Sequence, residues 1–240
     1  MRVSQFEIHR LIQRAMEALG AGYGVDRDAA RCIAWLEARG LPGLAAFESD
    51  LARLETGLPR PRIEHRSESE IAIALGGSAI ASTGALLDLA AAKTRRSGRA
   101  LLRLSGCTAP LYLIPAAIEA GLDSALSLAW PTALGGVAAL ISGDGIALYL
   151  KPVTKVSAAL SAAPTDDVVL AVPGVEPLGP NLEVVLTPED LARRFDESLN
   201  KGVEVDPALW LRLDKVDARV QVPASVVSRE RGAGGGDANI

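Results

Sequence analysis

Apolar residues recur at helical spacing over the first 57 residues and then switch to shorter alternating runs, so the chain changes character near residue 60. Ser4-Gln5-Phe6-Glu7 reads as a capping box, followed by Ile8, Leu11, Ile12, Ala15 and Leu19 on one helix face and a stop at Gly20. A second helix is expected with Asp26 as its cap, Ala29, Ala30, Ile33, Trp35 and Leu36 inward, and Gly40 as its left-handed terminator after Arg39. The third runs from about Leu44 to Glu55, with Leu44, Phe47, Leu51 and Leu54 inward and Gly57 ending it. Pro59-Arg60-Pro61-Arg62 then forces an extended connector.

Strands and helices alternate beyond it. Glu70–Leu75 is a strand, Thr83–Arg96 a helix ending at Gly98, Arg99–Leu104 a strand, Pro110–Ala120 a helix ending at Gly121, and Ser124–Ala129 a strand. That order predicts βαβ units. Val137–Ile141 and Ile146–Leu150 flank the turn signal Ser142-Gly143-Asp144-Gly145, and Thr154–Leu160 and Val168–Val172 add strands without helical spacers. Thr187-Pro188-Glu189-Asp190 starts a further helix closed by Lys201 and Gly202. Asp206-Pro207 starts a shorter one through Leu213, and Val216–Val222 alternates as a last strand. The expected fold is therefore mixed α/β. A helical subdomain (1–57) precedes a domain (70–228) with a mixed parallel and antiparallel sheet and flanking helices, and a glycine-rich tail (229–240) ends the chain.

Composition narrows the classes. With 240 residues and 49% of them apolar, the chain can bury a core without disulfides or a structural metal. A net charge of -4 argues against a dedicated nucleic-acid binder, although residues 1–120 carry 15 basic and 13 acidic side chains against 10 and 16 in the second half. Cys32 and Cys107 are too few for a disulfide framework and lack CxxC spacing, which fits a reducing cytoplasm. Ser124–Gly143 is uncharged over 20 residues, but Pro131, Gly135 and Gly136 interrupt it. Two buried strands joined by a turn fit it better than a membrane span.

Chemistry-bearing residues are sparse. His9 and His65 are the only histidines, too few for a histidine metal site or an ordinary Ser-His-Asp triad, and no HExxH, Walker loop or GxSxG occurs. No metal site is expected. Cys107 lies in a glycine-containing turn at a strand's carboxyl end, before a helix whose N-terminus would lower its pKa, and is the candidate nucleophile; a buried packing role is the alternative. Arg39 reads as a last-turn cation that complements the helix dipole. Arg229, Arg231, Gly232 and Gly234 together form a candidate anion loop in the tail, although no strand and helix frame the glycines.

Glu17-Ala18-Leu19-Gly20, Arg39-Gly40-Leu41 and Leu51-Ala52-Arg53-Leu54-Glu55-Thr56-Gly57 together resemble the opening of the type-2 malate/L-lactate dehydrogenase (L-sulfolactate dehydrogenase-like) family. Leu104-Ser105-Gly106-Cys107, Ile118-Glu119-Ala120-Gly121-Leu122 and Val222-Pro223-Ala224-Ser225 extend the resemblance. The end of the chain is also similar to an uncharacterised bacterial family through Val222–Ser225, Ser228-Arg229 and Gly232–Gly236. The dehydrogenase resemblance implies NAD or NADP as cofactor if the chain is an enzyme, a small carboxylate as substrate or ligand, a twofold dimer, and a catalytic pair in which Arg39 orients the carboxylate and Cys107 or a borrowed group handles the proton. It also marks departures. The family carries its catalytic histidine in the turn after Arg-Gly, where this chain has Leu41-Pro42-Gly43-Leu44-Ala45, and Cys107 occupies the family's second histidine position in a chain shorter than a full member. Positioned acid–base groups contribute ~10² to 10⁴-fold to such chemistry. The expected function is thus a dehydrogenase-like scaffold that binds a small molecule or serves as an accessory subunit of a larger enzyme. The alternative is a divergent NAD(P)-dependent oxidoreductase; a lyase or isomerase using Cys107 has no motif in its favour.

Overall fold

The capping box expected at Ser4 forms, and the helix start expected at Thr187 carries one as well. In the computed structural model, which describes residues 1–68, 70–132, 135–142, 145–150, 167–174 and 183–220, the Ser4 and Thr187 hydroxyls accept from Glu7 and Asp190 N–H groups. Three helices open the chain: α1 (Gln5–Ala18), α2 (Val25–Glu37) and α3 (Gly43–Thr56). Strand β1 (Arg2–Val3) precedes them and pairs with β10 (Val203–Glu204), and the Met1 amino group donates to the Val205 carbonyl at 2.7 Å. The two ends of the described chain are thereby tied together.

The sheet follows. Its strands are β2 (Arg62–Arg66), β3 (Glu70–Ser78), β4 (Ala100–Thr108), β5 (Leu126–Thr132), β6 (Gly135–Ser142), β7 (Gly145–Leu150), β8 (Val168–Val172) and β9 (Glu183–Leu186). Their spatial order is β2-β3-β4-β8-β5-β6-β7-β9. The sheet is mixed, as the sequence predicts. β3 and β4 are its parallel pair, joined through α4 (Thr83–Ser97), and the other adjacent pairs are antiparallel. The second expected βαβ step, through α5 (Leu113–Glu119), is opened by β8, which inserts between β4 and β5 and is antiparallel to both. Alternation along β8 buries Val168, Leu170 and Val172, giving it the apolar face that a central strand needs. The uncharged stretch at 124–143 contributes the antiparallel strands β5 and β6, and among the described residues no helix is long and apolar enough to cross a membrane.

Helices α6 (Pro188–Lys201) and α7 (Pro207–Asp217) complete the described chain. One apolar core runs from Val3 to Val216, through α1–α3, the Ala100, Leu102 and Leu104 face of β4 and the inner residues of α7. Arg14 of α1 lies 2.8 Å from Asp217 of α7, so the last helix closes on the first.

Three expectations change. The described part of the expected strand at Val216–Val222 is helical: α7 continues through Asp217 and passes into a 3₁₀ turn at Ala218–Val220, because Leu209, Leu213 and Val216 share one buried helical face. Asp26 does not cap α2 from outside; it lies inside the helix and accepts from Gly24 N–H and Gln13. Arg62–Arg66, read as connector, is an exposed edge strand pairing with β3, and it carries His65. The expected strand at 154–160, the Gly143-Asp144 turn, the Val222–Ser225 phrase and the tail candidates Arg229, Arg231, Gly232 and Gly234 lie outside the described residues.

Candidate functional site

Helix α2 ends where the sequence places its terminator. Gly40 adopts a left-handed φ of 66°, with Gly40 N–H bonding to Glu37 O at 3.0 Å and Leu41 N–H to Leu36 O at 2.9 Å. This closure sets Arg39 two residues past the end of α2, against Phe195 of α6. Its guanidinium carbon stands 4.0 Å from the Trp35 ring centre and 4.5 Å from that of Phe195 on α6. A cation–π contact contributes ~0.5 to 1 kcal/mol when exposed and ~2 kcal/mol or more when desolvated. Arg39 also donates to the Trp35 carbonyl at 3.3 Å, the dipole-complementing role expected for a last-turn cation. From α6, Arg194 donates in turn to the Arg39 carbonyl at 3.2 Å. Burial pulls the Arg39 pKa down to about 10, and no Asp or Glu among the described residues forms an ion pair with it. The guanidinium remains a cation at neutral pH.

That cation faces a cleft of about 320 Å³ whose other walls include Trp35, Ile118, Ile146, Pro188 and Leu191. The β6–β7 hairpin forms one side. Gly145 sits at a φ of 127°, and a Cβ there would meet Pro188 at 2.8 Å, so only glycine lets the hairpin approach α6 this closely. The cleft lies at the lower end of the ~300 to 1,000 Å³ range for small-molecule sites and combines an apolar lining with one orienting charge. A carboxylate with a short apolar tail matches both features.

Cys107 lies elsewhere. It is the penultimate residue of β4 rather than part of a turn, fully buried, with its thiol 3.6 Å from the Thr108 carbonyl. Burial and the nearby Asp50 push its pKa up to about 12, the reverse of the lowering expected from a following helix; the segment after it begins with a single 3₁₀ turn at Pro110–Tyr112. Cys107 does not line the Arg39 cleft. Cys32 is buried as well, with its thiol also pushed up to about 12.

The Leu41–Ala45 turn is packed shut against α2. Leu44 is 1% exposed, Tyr112 donates its hydroxyl to the Gly43 carbonyl at 2.9 Å, and Leu44 N–H donates to the Glu37 carboxylate at 2.7 Å. Glu37 caps α3 because Pro42, at the cap position, offers no side-chain acceptor. Burial raises its pKa to about 7 despite the backbone hydrogen bonds from Leu44 and Gly43. The outer side of this turn, with Glu37, Arg2 and Lys201, borders a second cleft of about 560 Å³.

Asp50 is a further buried acid. It sits on the inward stripe of α3 between Phe47 and Leu54 and accepts from Thr108 at 2.9 Å; desolvation raises its pKa against that hydrogen bond. Thr108 faces Ser78 across the carboxyl ends of the parallel pair β3 and β4. Neither Glu37 nor Asp50 emerges from the sequence reading, yet a carboxylate at i+3 from Phe47 in an otherwise apolar stripe is a legible signal. His9 is half-buried on α1, with its pKa lowered by burial and then by Arg31 and Arg27. Among the described residues no group of three or more His, Cys, Asp and Glu side chains is placed to hold a metal ion.

Comparison with known proteins bears on the fold. A family model described as "Protein of unknown function (DUF3726)" matches residues 3–100. No curated protein matches the sequence. Among solved structures, a dehydrogenase from Sinorhizobium meliloti aligns with a TM-score of 0.67 at 15% identity, over 91% of this chain and 99% of its own. Sulfolactate dehydrogenase from Methanocaldococcus jannaschii gives 0.63 at 12% identity, over 90% and 96%, and malate dehydrogenase from Pyrococcus horikoshii 0.60 at 14%, over 94% and 97%. The chain has the fold of these dehydrogenases. At such identities the likeness carries the architecture and leaves chemistry to the site.

Proposed function

We propose that this protein is a small-carboxylate-binding member of the dehydrogenase-like fold, acting as a binding scaffold or accessory subunit without malate or lactate dehydrogenase turnover. The observation that carries this reading is Arg39. A half-buried guanidinium, stacked between two aromatic rings at the mouth of an apolar cleft and lacking a carboxylate partner among the described residues, has the chemistry of an anion anchor. The Leu41–Ala45 segment carries no histidine and Cys107 is a buried, weakly acidic thiol, which supports a site without the proton-transfer histidines of the resembled family.

Calorimetric titration with acetate, butyrate and hexanoate tests it. Each added methylene that is buried contributes ~0.8 kcal/mol, so hexanoate should bind tens- to hundreds-fold more tightly than acetate while uncharged hexanol binds weakly. Arg39→Met should cost at least tenfold, with circular dichroism confirming the fold. Equal affinities of wild type and variant, or no hexanoate binding at millimolar concentration, would overturn the reading. The fold likeness to dehydrogenases favours a second reading, an NAD(P)-linked oxidoreductase acting on a small carboxylate. Sustained oxidation of NADH or NADPH in the presence of a 2-oxo acid would establish that alternative.

A further inference from the structure

The chain is acidic overall, yet residues 60–103 carry eight Lys and Arg against four Asp and Glu. Part of that excess converges on a separate cleft of about 690 Å³ between the β2–β3 turn and the last turns of α4. Leu89, Ala92, Lys93 and Arg96 are spaced i, i+3, i+4 and i+7, so they share one face of α4. Arg66, at the end of the exposed strand β2, stands across from that face. The resulting cleft has an apolar floor built on Ile71 and Leu89, with three cations around it and Glu68 as its single acid.

The cleft is held in shape by its own backbone. Ser67 N–H bonds to Glu70 O at 2.8 Å, Glu70 N–H to the Ser67 hydroxyl at 3.0 Å, and Lys93 donates to the Ser67 carbonyl at 2.9 Å. Lys93 thus ties helix to turn while keeping two N–H donors for another acceptor. None of Arg66, Lys93 and Arg96 forms an ion pair with an Asp or Glu among the described residues, whereas Arg103, close by on β4, pairs with both Glu70 and Asp167. Neutralising the last turn of α4 requires no contribution from Arg66, which belongs to the opposite wall. Three like charges gathered on two elements repel one another, and an anion of charge -2 or more relieves that repulsion.

We infer that this cleft is a phosphate-binding site: Arg66, Lys93 and Arg96 hold the phosphate of a phosphorylated small molecule whose apolar or planar body lies on Leu89 and Ile71. Guanidinium forks match phosphate oxygens in pairs, and an ammonium adds a point charge between them. The site is distinct from the Arg39 cleft, with which it shares no lining residue.

Calorimetric titration of the full chain with pyrophosphate and with AMP at low ionic strength tests the inference. Both should bind, AMP more tightly than inorganic phosphate, with affinity falling several-fold between 50 and 200 mM salt. The double variant R66Q/R96Q, confined to exposed side chains, should lose at least tenfold in affinity while Arg39→Met leaves it unchanged. Glu68→Gln should tighten binding two- to fivefold by removing the one opposing charge. Absence of binding by both probes, retention of wild-type affinity in the double variant, or weaker binding in Glu68→Gln would each overturn the assignment. A preference for a long RNA over both small probes would overturn it as well, in favour of a nucleic-acid surface.

Discussion

Glu37→Gln should stabilise this protein, and increasingly so as the pH rises. The carboxyl group is pushed from its ordinary 4.5 to about 7 by burial, while its oxygen accepts the Leu44 N–H at 2.7 Å and caps α3. Because the folded value lies above the unfolded one, the folded chain holds the extra proton between those two values, and stability falls as the pH rises through that window. At 1.36 kcal/mol per pH unit, ionised Glu37 costs the folded state ~3 kcal/mol at pH 8. Glutamine keeps the accepting oxygen and removes the charge. Its advantage should be under ~1 kcal/mol at pH 5 and grow by ~2 kcal/mol or more by pH 8, equivalent to an increase in Tm of ~6 to 12 °C at the higher pH. Urea titrations of both proteins at half-unit pH steps would measure the difference directly and cancel the contribution of Asp50, which titrates in the same direction. A gap that stays constant with pH, or a variant less stable at pH 8, would refute the reasoning.

Three other outcomes follow from the same geometry. Neither thiol should react with DTNB in the folded protein within minutes, since Cys32 and Cys107 are buried and weakly acidic, whereas both should react in denaturant; rapid native labelling of Cys107 would contradict its placement. Tyr112→Phe should cost ~1 to 3 kcal/mol in chemical denaturation by leaving the buried Gly43 carbonyl without its donor. Gly145→Ala should destabilise by ~1 kcal/mol or more and weaken hexanoate binding, because the new methyl group meets Pro188 in the cleft wall; unchanged affinity would separate the hairpin from the site.

Local chemistry made much of the architecture readable. Caps at Ser4 and Thr187, the Gly40 terminator and the strand–helix–strand run from β3 to β4 depend on residues close in sequence, and each appears where the sequence puts it. What escaped depends on partners far along the chain. Arg62–Arg66 becomes a strand because β3 offers it an edge; its own polar sequence gives no alternation to read. The insertion of β8 between β4 and β5 is a choice of pairing that no local pattern encodes. Val216 follows Leu209 and Leu213 onto one helical face, and that packing overrides the alternation seen from Val216 onward.

The site was legible to a similar depth. Arg39 stands at its helix end because Gly40 fixes that end, but its second aromatic neighbour, Phe195, lies 156 positions away and could be supplied only by the fold. Cys107 takes the packing alternative because β4 runs on to Thr108, which places the thiol in the core and reverses the pKa shift expected of a turn before a helix. Asp50 and Glu37 carry no motif of their own; it is burial, supplied by the packed fold, that raises their pKa values.

The most direct measurement of the central claim is a crystal structure of the protein with hexanoate. The carboxylate should lie ~2.8 Å from the Arg39 guanidinium, with the alkyl chain against Ile118, Ile146 and Leu191. An Arg39 cleft empty at saturating hexanoate, or the carboxylate bound elsewhere, would contradict the account.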